Sequence, residues 1–282
     1  MKFFKLIKYD VINGIFYRIY SYASMMVLGI MFFIDFYLNV NILKEDLALE
    51  RQGATITNIL FYIYEGKKPF KADLISEFVF PVMWIILFLF ISYLSLEYPI
   101  GNLTGHGMQI ITRTTSRREW WISKCIWVIE STLMCFFILY MTLWVLCMVF
   151  GIDISLQFSD YVNEKILEMN FVQDVSKNEI ILLIFVFPVF TAVTINLIQL
   201  CLGMFFKKIY CFAIIAIILF VSTYYNTPIM VGNYAMIKRN ILCISNGVTF
   251  KQGFIINGII VVLVVVAGLL KFRKYDILKD EM

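Results

Sequence analysis

Apolar runs of bilayer length alternate along this chain with polar connections. A spanning helix needs about 20 mostly apolar residues, with roughly 17 to 25 tolerated. Six stretches meet that length: 19–38, 78–96, 125–150, 180–206, 209–225 and 254–270. Lipid offers no partner for a backbone amide, so in an open chain such runs must be helices. The pattern predicts an all-α, polytopic membrane protein with six transmembrane helices in a single domain over residues 1–282. Ahead of the first run, residues 2–18 are too polar to span. Phe4, Ile7, Val11 and Ile15 nevertheless recur there at helical spacing, while Lys5, Lys8 and Asn13 fall elsewhere. This predicts an amphipathic helix lying on the inner leaflet.

Composition agrees with the pattern. The 282 residues are 61% hydrophobic and only 16% charged, with a mean hydropathy of +0.83; soluble domains run at about 45–50% apolar and about 25% charged. A soluble core could not hide several uncharged runs of this length. Cys125, Cys135, Cys147, Cys201 and Cys211 fall in apolar runs and Cys243 in a connection, with no CxxC spacing. Neither a disulfide frame nor a metal site is expected. The opening MKFFKLIKYD lacks an uninterrupted apolar core, so no cleaved signal peptide is expected. Low alanine with abundant isoleucine, lysine and asparagine points to a prokaryotic source.

Lysine and arginine counts set the sidedness. The amino-terminal segment, 97–124, the 207–208 pair and the tail from 271 together carry fourteen, and the longer opposite connections carry ten. The denser side is predicted to be cytoplasmic. Both termini then face the cytosol from the cell membrane, although 39–77 alone carries a contrary five.

The cytoplasmic connection Glu97–Lys124 has an ordered composition. Pro99, Gly101, Gly105 and Gly107 break the second run. Met108, Ile111, Thr115 and Trp120 then offer one face of a short helix, and Arg113, Arg117 and Arg118 offer polar surface. Trp120 and Trp121 suit anchoring at the lipid headgroups. By composition alone the arginines need only touch lipid phosphates.

The run GHGMQIITRTTSRREWWISK, Gly105 to Lys124, resembles the connection between the second and third spans in permease subunits of type-2 ATP-binding-cassette exporters. The amphipathic start, six spans and long last outer connection match that layout, although the motif itself is about twenty residues long and degenerate. The resemblance implies that the connection docks on a separate ATP-binding-cassette ATPase subunit, with Gln109, Arg113, Arg117 and Arg118 as contacts. Glu97 is placed either to pair with one of these arginines or to reach water. It also implies a homodimer or a heterodimer with a related permease, and half-helices in the last outer connection that close the exit. No GxxxxGK[ST] occurs, and GKK at 66–68 lacks both the glycine spacing and the hydroxyl. ATP and Mg are therefore expected on the partner subunit, with no cofactor, metal or catalytic residue in this chain. Membrane lipid is an expected partner; nucleic acid is not.

Within the spans, Ala192, Asn196, Gln199 and Gly203 share one helix face. Such a face serves either as a substrate-facing wall or as polar packing, and packing is the commoner use. Pro188 would free a carbonyl about one turn earlier and is a candidate kink. Asp35 and Glu130 lie near interfaces, and His106, the sole histidine, falls in a turn without neighbouring ligands. Outside, residues 151–179 carry a net charge of −4, which favours cationic peptides electrostatically. The apolar ILFYIY at 59–64 is expected to dip towards the outer leaflet, and 226–253 is either re-entrant or an external loop. The leading expectation is export of a peptide, antimicrobial or drug-like amphiphile. A membrane-embedded enzyme acting on lipid or peptide, and a non-transporting receptor or assembly factor, are the alternatives.

Overall fold

A computed structural model describes residues 2–47, 53–69, 80–101 and 117–273. Ten α-helices fall within them, with no strand. They are α1 (Lys2–Gly14), α2 (Ile19–Leu47), α3 (Ile56–Tyr64), α4 (Val82–Gly101), α5 (Arg117–Phe150), α6 (Asp160–Lys165), α7 (Lys177–Ile181), α8 (Phe187–Leu202), α9 (Lys208–Tyr224) and α10 (Phe250–Arg273). A 3₁₀ turn, Phe16–Arg18, joins α1 to α2, and a π turn, Leu182–Val186, joins α7 to α8.

Five described stretches are long and apolar enough to cross a membrane: Phe3–Ile42, Val82–Pro99, Arg117–Phe150, Lys177–Leu202 and Phe250–Phe272. The remaining expected span, 209–225, corresponds to α9, which has 17 residues. At 1.5 Å per residue it reaches about 26 Å, short of a hydrocarbon core of about 30 Å. Six expected spans are thus five long helices and one shorter apolar one.

The layout follows from burial. α8 is the most enclosed long helix and packs against α4, α5 and α10, whereas α10 is covered on one side only. One end of the bundle gathers α1, the end of α4, the start of α5 and the end of α10. The opposite end gathers α3, α6, α7 and the connections 151–176 and 225–249.

Along α1 the line buried within the protein runs Leu6, Asp10, Gly14 with Ile15, and Phe4 is exposed. Two contacts set the buried line. Asp10 finds donors on α4 and α5, and Gly14 admits the indole of Trp127, whose Nε1 lies 2.2 Å from where a Cβ would stand.

α3 holds the expected ILFYIY. Ile59, Leu60, Phe61, Ile63 and Tyr64 are all buried within the protein. Thr55 and Asn58 form a reciprocal capping box at its start. The buried Asn58 amide also bonds Ser159 O and Asn163 Oδ1, fixing α3 to the connection after α5.

Candidate functional site

At the α1 end, three helices converge on one carboxylate. Asp10 accepts from Lys124 Nζ at 2.6 Å, Ser123 Oγ at 2.6 Å and Tyr98 OH at 3.0 Å. The Lys124 ammonium also lies 4.6 Å from the Tyr98 ring centroid and 5.2 Å from that of Trp120. A buried ion pair recovers its desolvation cost only when its remaining hydrogen-bonding capacity is met, which the hydroxyls and rings do here. Close by, Arg18 and Glu97 pair at 2.8 Å, both side chains substantially exposed. Among the described residues Arg18 is thus a partner of Glu97, brought to the end of α4 by the turn Phe16–Arg18.

Arg117 and Arg118 stand exposed on the first turn of α5. Gln109, Arg113 and His106 lie outside the described residues. Trp120 and Trp121 correct the expected headgroup anchor, because both are buried between α5 and α10. Trp120 stacks on Phe272 at 4.7 Å, and Trp121 Nε1 donates to Val265 O at 3.1 Å. Gly268 makes the slot, since a Cβ there would meet the Trp121 ring at 1.9 Å.

The predicted α8 face turns inward. Asn196 accepts from Ser92 on α4 at 3.0 Å and donates to Thr132 on α5 at 2.9 Å. Ala192 and Gly203 are buried beside it. Gln199 is also buried, and among the described residues neither of its amide atoms has a hydrogen-bond partner. Asn196 thus serves interhelical polar packing. Asp35 accepts from Tyr62 OH, joining α2 to α3, and among the described residues the buried Glu130 Oε2 has no hydrogen-bond partner.

Pro188 has the local consequence its chemistry requires. It has no N–H for the carbonyl of Ile184, four residues earlier. That carbonyl instead accepts from Tyr140 OH at 2.7 Å, and Tyr140 in turn accepts from Tyr64 OH at 3.1 Å. The backbone absorbs the lost bond as the π turn, where the Phe187 N–H reaches back to Leu182 O. Beside this relay lies an apolar cavity of about 330 Å³, with Leu60, Tyr140, Trp144 and Phe185 in its wall.

Sequence reading missed the buried cations of the connection 225–249. Arg239 is 0% exposed and donates to Lys67 O at 2.9 Å, Asn233 Oδ1 at 3.0 Å and Thr223 O. Lys238 pairs with Glu65 at 3.0 Å. Burial pushes the Glu65 carboxyl up, partly offset by the Lys238 ammonium. The adjacent Lys238 and Arg239 in an otherwise apolar stretch were the available signal. The connection contains two 3₁₀ turns, Val231–Ala235 and Ile237–Arg239, both buried within the protein. Gly232 and the Trp84 bond to Ala235 O at 3.1 Å pack it against α4 and α9.

Comparison with protein-family models, curated proteins and solved structures returns no match.

Proposed function

We propose that this chain is the membrane-spanning permease subunit of an ATP-driven exporter of the type-2 ATP-binding-cassette class. It moves a peptide, antimicrobial or drug-like amphiphile, with ATP and Mg bound by a separate ATPase subunit. The observation that carries the reading is the exposure of Arg117 and Arg118 on the first described turn of α5, directly before a locked segment. Lys124 then ties α5 to α1 and α4, and Trp121 ties it to α10. A push on that first turn is passed to three helices at once, which is what conversion of ATPase closure into rocking of spans requires.

In this reading both termini are cytosolic and α1 lies on the inner leaflet, with Phe4, Tyr9 and Ile12 exposed to lipid. α9 completes a sixth crossing; Lys207 and Lys208 snorkel at its start and the bilayer thins locally around it. The permease acts as a dimer with itself or a related chain. The test is affinity purification of the tagged protein from its native membrane in mild detergent, followed by mass spectrometry and an ATPase assay. Recovery of a P-loop subunit with ATPase activity is the expected result. Recovery of this chain alone, inactive in every mild detergent tried, contradicts the proposal.

A further inference from the structure

Two cavities at the α3 end meet at Leu156, which lines both. The first is the apolar cavity of about 330 Å³ beside Tyr140. The second, of about 820 Å³, carries the carboxylates of Asp160, Glu164 and Asp174 against the single ammonium of Lys177. Small-molecule sites commonly measure about 300–1,000 Å³, so each is large enough for part of a ligand. The segment that carries Leu156 is held to α3: Ile56 N–H donates to Asp153 O at 2.9 Å, and Thr57 Oγ1 donates to Ser155 O at 2.8 Å. Met141 and Trp144, partly exposed on α5, open the apolar cavity sideways to the bilayer.

We infer that the two cavities form one binding site for a cationic amphiphile, with its apolar body beside Tyr140 and its cation among Asp160, Glu164 and Asp174. Charge selects this occupant. Among the described residues none of the three carboxylates is ion-paired. All three side chains are exposed, so they attract a cationic headgroup and repel an anionic one, while a neutral amphiphile gains nothing from them. The inference rests on the exporter reading for its purpose and names the substrate class, but binding itself needs neither ATP nor a partner.

The experiment uses the full chain in phosphatidylcholine nanodiscs with two photoreactive probes, a diazirine-bearing dodecylamine and the matching dodecanol. The expected result is stronger labelling of Met141, Trp144 or Leu156 by the amine. That preference should fall about tenfold in Asp160→Asn/Glu164→Gln/Asp174→Asn and shrink in about 0.5 M salt. Unchanged dodecanol labelling of the triple variant shows that it remains folded. Equal labelling by both probes, a preference that survives neutralisation, or no labelling at these residues overturns the inference. Failure here leaves recovery of an ATPase partner intact as a separate result, so the two proposals fall independently.

Discussion

The Asp10 carboxylate and the Lys124 ammonium lie 2.6 Å apart, with 1% of each residue exposed. This pair makes the amino-terminal helix part of the bundle, because Ser123 and Tyr98 bond the same carboxylate from α5 and α4. Asp10→Ala strands a buried cation, and removing one partner of such a pair costs about 3–5 kcal/mol. The expected outcome is a large drop in the thermal midpoint of the purified protein. Asp10→Leu combined with Lys124→Met should lose much less than the two single changes added together. Additive losses would mean that the pair is not coupled.

Tyr140 and Pro188 make a second separable unit. Tyr140→Phe removes the donor to Ile184 O and the acceptor for Tyr64 OH. Side-chain bonds of this kind within membranes are worth about 0.6 kcal/mol on average and up to about 1.7 kcal/mol. In a Pro188→Ala background the restored N–H satisfies the Ile184 carbonyl, so the same Tyr140→Phe change should cost measurably less. A double-mutant cycle on thermal or denaturant stability reads the difference; equal costs in both backgrounds would refute the link.

Glu65 supplies a pH dependence of defined sign. Burial raises its carboxyl above the ordinary value of 4.5, with Lys238 offsetting part of the shift. The folded state therefore holds the proton more tightly than the unfolded chain. The stability from this group is fully present below the ordinary value and is lost as pH rises through the raised one. Glu65→Gln cannot titrate. Subtracting its thermal midpoints from those of the wild type across about pH 4–8 should give a difference that falls with pH. A rising difference would show that attraction to Lys238 outweighs burial.

How much the sequence foretold depends on how local the cause is. The long apolar runs became long helices because burial of their backbone groups leaves no other structure. Pro188 announced its orphan carbonyl, since the lost bond lies within one helix turn. Asp10 was illegible: one acid in a short amphipathic helix reads as solvated until Lys124, more than a hundred residues later, is placed beside it. Trp120 and Trp121 had the composition of a headgroup belt, and only Gly268 and Phe272 on α10 convert them to interhelical packing. Asn196 and Gln199 share a face in any helix, yet which of them finds a partner depends on Ser92 and Thr132 from two other helices. Arg239 was likewise hidden, because its acceptors come from residues 67, 223 and 233.

In the proposed exporter, Arg113, Arg117 and Arg118 receive the stroke of the ATPase. The most direct test replaces Arg113, Arg117 and Arg118 together by Glu and compares this variant with the wild type in native membranes. The measurements are membrane insertion, recovery of the ATP-binding subunit and ATP-dependent transport of a cationic amphiphile. Normal insertion with loss of the ATPase partner and of transport is the expected result. Full recovery of the partner with unchanged transport would contradict it.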